Sequence, residues 1–237
     1  LLINISGLLF NFAVMFVILT LVLSVVIGSF WGYLFSKEEF LTKFLLTFSG
    51  AFFLAIAVLE IFPEVYHTDN SYIGLFVLAG LLFQMLVESL SKGAEHGHVH
   101  FKKSSSLPAG IFWGLFLHSF FEGTPLLNQS SHHLLWAIFI HNIPVAMVLF
   151  GAVWQMKISK LSKLSLITVF ALAGPMGALI GKNIPENLHQ IMLAFVAGIF
   201  IHISTVILFE STASHKFKAQ KILTVLLGFA VAYLIVF

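Results

Sequence analysis

The chain has 237 residues, 59% of them hydrophobic and 9% charged, and a formal net charge of +2. A soluble domain of this size would need far more polar surface, so that class is excluded. The absence of Cys excludes disulfides and thiolate metal ligands, leaving His, carboxylate, amide, Met and backbone oxygen as donors.

Apolar runs of about 20 residues, the length that crosses a bilayer, recur along the whole chain. They predict an all-α integral membrane protein of eight spans, at roughly 8–35, 43–65, 71–90, 108–127, 132–155, 163–181, 188–210 and 217–236. The first run carries no charge and no basic leader, so it reads as a spanning helix rather than a signal peptide. The connections are short and polar, and residues 1–237 read as one membrane domain. Eight spans put both termini on one side. Eleven of the twelve lysines then fall on the other side, Lys182 being the exception. The positive-inside rule makes that side cytoplasmic and both termini extracytoplasmic.

Span 1 carries Ser24, Gly28 and Gly32, and span 6 carries Ala173, Gly177 and Gly181, each set at four-residue spacing. Small residues on one face let helix backbones approach closely, so both stripes are read as packing. Span 2 ends in LEIFPEVYH, with Glu60 and Glu64 one turn apart and His67 beyond. Glu60 reads either as a carboxylate snorkelling to water or as part of an outer metal-capturing site. Span 3 carries Gln84 and Glu88 near its cytoplasmic end, with Lys92 in position to pair with Glu88. The loop at about 91–107 contains His96, His98 and His100 in alternation. Such a loop is either solvated or weakly metal-binding.

Spans 4 and 5 carry the most demanding residues. His118 and Glu122 lie one turn apart near the centre of span 4, and His141 and Asn142 near the centre of span 5. The two spans are antiparallel, so the histidines should meet at similar depth. Pro144 cannot donate a backbone hydrogen bond and should loosen span 5 beside His141; Gly123 and Pro125 should do the same in span 4, and Gly174-Pro175 in span 6. Ionisable groups inside apolar helices are expensive. Two imidazoles, a carboxylate and an amide suit zinc, iron or manganese, and a divalent ion supplies the charge a buried Glu needs. The other reading is a structural polar cluster. His202 in span 7, by itself, reads as a histidine bonded to a neighbouring helix rather than as a ligand. Glu60 and Glu64 at one edge, His118, Glu122 and His141 in the middle, and Glu88, Glu210 and the histidine loop at the other edge form the series that a permeating cation requires.

HSFFEG at 118–123 and HNIP at 141–144 resemble the span-4 and span-5 motifs of the ZIP (Zrt/Irt-like) family of divalent metal transporters. GAFFLAIAVLEIFPE in span 2, AGIFIHISTVILFE in span 7, the histidine-bearing loop and the eight spans are similar to that family's pattern, so the resemblance covers nearly the whole chain. It implies metal influx to the cytoplasm across the cell (inner) membrane, with the ion held between helices 4 and 5 by His118, Glu122, His141 and Asn142. Glu60, Glu64, Ser119, His202, Glu88 and Glu210 are candidates for the path. It also implies sliding of one helix group against another, and often a homodimer. The cargo is a divalent metal ion, zinc before iron or manganese; no organic cofactor, enzyme activity or nucleic-acid partner is expected. Three positions depart from the family's pattern: Ser119 where Asn is common, Val145 where Glu or His is common, and Gly174 where Glu is frequent. They thin a second, adjacent metal site, so one main site is expected. The rival readings are a membrane-embedded metal sensor using the loop histidines, or an intramembrane metalloenzyme, for which no HExxH pattern is present.

Overall fold

The computed structural model describes residues 5–35, 38–67, 70–91, 109–128, 132–210 and 219–237. The histidine loop lies outside them, as does the side chain of Glu210. In chain order the helices are α1 (Ile5–Phe35), α2 (Glu39–Ile56), a π-helical turn (Ala57–Ile61), α3 (Phe62–Tyr66), α4 (Ile73–Ser91), α5 (Ala109–Gly123), α6 (His133–Trp154), α7 (Lys160–Gly181), a short 3-10 turn (Glu186–Leu188), α8 (His189–Glu210) and α9 (Ala219–Val236). Among the described residues there is no strand. Among the described residues, seven helical stretches are long and apolar enough to cross a membrane. Their outward faces carry large apolar side chains such as Phe12, Leu78, Leu161 and Leu234. A lipid environment solvates such faces and water does not.

The predicted fourth span is the one that differs. It is α5, 15 residues long among the described ones, and it stops at Gly123 instead of continuing to 127. Pro125 disfavours the helical conformation at Thr124, so the helix ends before it and a run of turns follows to Asn128. Asn128 ties that turn to α7, its side-chain amide donating to Gly181 O at 2.8 Å. The other prolines do not break their helices. Pro144 and Pro175 both sit inside helices that run on past them. At Pro63 the perturbation falls one turn earlier. Its missing N–H leaves the Leu59 carbonyl without its usual donor, and the helix widens into the π turn that holds Glu60.

By partner, one group of helices gathers around α6 and α7 and another around α8 and α9, and the contacts between the two are as extensive as some within them. α1 packs on α6 and α7, and α5 packs on α7; α4 packs on α8, and α2 packs on α8 and α9. The groups meet where α2 lies along α6 and α4 along α5. Within the first group the small-residue stripes set the spacing. A Cβ on Gly177 would fall on the backbone carbonyl of Phe120 in α5, and one on Gly28 on the carbonyl of Ile143 in α6. Only a hydrogen at these positions allows the observed approach. The packing reading of both stripes therefore matches the geometry. A purely apolar cluster of Val25, Leu115, Val145, Leu149 and Phe170 fills this group, while the larger core runs through Phe52, Phe53, Ile56, Leu134, Ile138 and Phe200 of both groups.

Candidate metal centre

α5 and α6 bring His118, Glu122 and His141 together, all fully buried. One ligand atom from each lies within 4.8 Å of the others. His118 and Glu122 share a face of α5 because they are one turn apart, and His118 Nε2 is 3.4 Å from Glu122 Oε1. The two imidazole rings stand edge to face with centroids 5.7 Å apart. Two donors of one tetrahedral zinc ion, at bond lengths of about 2.0 Å, are about 3.3 Å apart. His118 and Glu122 already stand at that separation. Asn142 follows His141 on α6 and is buried, with its Oδ1 lacking a hydrogen-bond partner.

The second helix group supplies the surroundings. Ser49 of α2 lies with its Oγ 3.4 Å from His141 Nδ1, and Gln84 of α4 with its Nε2 3.4 Å from His118 Nδ1. Phe53 stands edge-on to His141 at 5.2 Å and to Phe200 at 4.3 Å, which closes that side with rings. Such walls lower the local dielectric and strengthen any charge interaction inside. Ser49 carried no signal in the sequence, because a serine in an apolar helix usually bonds its own backbone. The contact of Gln84 with His118 carried no signal in the sequence either, because the two residues lie on different helices.

Two further candidate pairs lie at either side of the centre. His133 Nδ1 donates to Glu60 Oε2 at 3.0 Å, joining the π turn after α2 to the start of α6. His202 Nε2 contacts Glu88 Oε2 directly, joining α8 to α4. This is the neighbouring-helix role read for His202, whereas Lys92, the partner expected for Glu88, lies outside the described residues. His133 is two turns from His141 along α6, about 12 Å, and Glu88 is one turn beyond Gln84, about 6 Å, in the other direction. Glu64 and His67 are exposed. Ser119 is buried, with its Oγ 3.5 Å from where a Cβ on Gly174 would lie.

The family model for the ZIP zinc transporter matches residues 92–236. The chain belongs to the ZIP family. It is a family of transporters rather than enzymes, and with its membrane-length helices the chain is a multi-pass membrane protein. It is 29% identical over 158 residues to zinc transporter ZIP1 of Danio rerio, covering 61% of this chain and 52% of that one. It is 31% identical over 150 residues to zinc transporter ZIP1 of Takifugu rubripes, covering 58% and 50%. The chain thus spans about half the length of the curated relatives it matches.

Proposed function

We propose that this ZIP-family chain carries a divalent transition-metal cation, zinc before iron or manganese, into the cytoplasm through a site built by His118, Glu122 and His141, with Asn142 alongside. The observation that carries the reading is the convergence of two imidazoles and a carboxylate, all fully buried, with ligand atoms within 4.8 Å. A bound cation would offset the cost of burying three such groups in an apolar bundle. They are also few enough to release it, which a transport site must do. Glu60 with His133 on one side and Glu88 with His202 on the other support a path of successive imidazole and carboxylate groups through the bundle. Glu64, Ser119 and Glu210 are its further members. The lysine asymmetry supports extracytoplasmic termini, and influx rests on the resemblance to the family.

A single metal position is favoured. Val145, one turn from His141, is packed in the apolar cluster, and Ser119 faces a glycine at Gly174. None of the three offers a carboxylate or imidazole.

The test is uptake into proteoliposomes loaded with a metal-sensitive dye. Time-dependent zinc signal in the parent protein, lost in His118→Ala and Glu122→Ala, is the expected result. Zinc binding in detergent with no flux in liposomes would overturn transport and return the protein to a sensor.

A further inference from the structure

Ser49 Oγ carries one hydrogen, and that hydrogen is already used: the hydroxyl donates to the Leu46 carbonyl at 3.0 Å. In its contact with His141 Nδ1 the serine can therefore only accept, and Nδ1 must be the protonated nitrogen. The other nitrogen, Nε2, then presents a lone pair. It is buried, has no hydrogen-bond partner, and lies on the ring that faces His118. That is the form of imidazole that binds a metal.

Gln84 plays the corresponding part for His118, with one difference. Its amide has a donating and an accepting end. As it stands, Nε2 is the atom near Nδ1 of His118, and Oε1 is buried without a hydrogen-bond partner. Donation from Nε2 holds the lone pair of His118 on Nδ1 and its hydrogen on Nε2, toward Glu122. Turning the amide over brings Oε1 to Nδ1. The hydrogen then sits on Nδ1, and the lone pair of Nε2 faces the site.

We infer that Ser49 and Gln84 are positioning residues that set which ring nitrogen of His141 and of His118 faces the metal. This rests on the reading of His118, Glu122 and His141 as the metal site. Both residues come from the helix group that does not carry the ligands, α2 and α4 against α5 and α6. Both also lie before residue 92, where the family-model match begins. Movement of one group against the other withdraws both partners together, and the imidazoles are then free to lose the metal-binding form. Affinity is thereby tied to the register of the two groups.

The experiment measures zinc affinity of the detergent-purified protein by competition with a zinc dye. Ser49→Ala and Gln84→Leu should each weaken binding by about 10- to 100-fold, the usual effect of removing a partner behind a metal ligand. Gln84→Glu, which can only accept when ionised, should bind at least as tightly as the parent. A packing defect would not be repaired by Glu where Leu fails, so loss in all Gln84 variants alike overturns the inference. Parent-like affinity in Ser49→Ala and Gln84→Leu, with binding lost in His118→Ala and His141→Ala, also overturns it and leaves the metal site standing. Parent-like affinity in His118→Ala and His141→Ala overturns the metal-site reading itself.

Discussion

His133 and Glu60 join the two helix groups at one side of the metal centre, Nδ1 to Oε2 at 3.0 Å. Glu60 lies in the π turn just ahead of Pro63, and His133 opens α6. Both side chains are partly exposed, at 31% and 17%, so solvent screens the pair and its contribution to stability is small. Its interest lies in coupling. Glu60→Gln and His133→Ala should each reduce the initial rate of zinc uptake. The double variant should show an interaction of about 0.5 to 2 kcal/mol instead of additivity. A double-mutant cycle on the uptake rates checks this, and strict additivity would count against a shared role.

Removing a ligand should have a larger effect than removing its supporting partner. His118→Ala, Glu122→Ala and His141→Ala are each expected to lower zinc affinity by about 100-fold or more, above the range for supporting residues. Isothermal titration on purified protein reads this directly. An Asn142→Ala variant separates the amide from the other three donors: a small loss in affinity would place it outside the bound set.

Gly177 touches none of these groups yet should matter to all of them. A methyl there would fall on the Phe120 carbonyl and push α7 from α5. Gly177→Ala should destabilise the protein by about 1 to 3 kcal/mol, the common effect of overpacking a close contact. Thermal unfolding followed by tryptophan fluorescence measures it. Because Phe120 lies between His118 and Glu122, zinc uptake should fall as well.

Val145 offers the reverse experiment, in which a ligand is added. It is 1% exposed in an apolar cluster and lies one turn from His141. A Val145→Glu carboxyl would enter that cluster without a ready partner and cost roughly 2 to 7 kcal/mol. Zinc should recover part of this if the new carboxylate reaches the ion. The expected outcome is a lower melting temperature without zinc and a larger zinc-induced rise than in the parent. Equal rises in both proteins would show that position 145 does not reach the metal.

Composition and run length alone were enough for the helical membrane class, because no soluble fold tolerates so little polar surface. The buried trio of His118, Glu122 and His141 was also legible as a candidate site. His118 and Glu122 are spaced by one helical turn, and buried ionisable residues are too costly to be incidental. The sequence did not show where α5 ends, because Pro125 acts on Thr124 only through local sterics that an apolar run conceals. It did not show the partners of Glu60 and His202, which are 73 and 114 residues away.

What the amino-acid order determined by itself is therefore the helical membrane class and which polar side chains lie within the helices, since both follow from spacing along the chain. What only the tertiary structure decided is which neighbours stand behind the ligands. Ser49 and Gln84 reach His141 and His118 across 92 and 34 residues of chain. Helix periodicity gives the face on which a residue lies but not the helix it will meet. That is settled by the close approach of α2 to α6 and of α4 to α5.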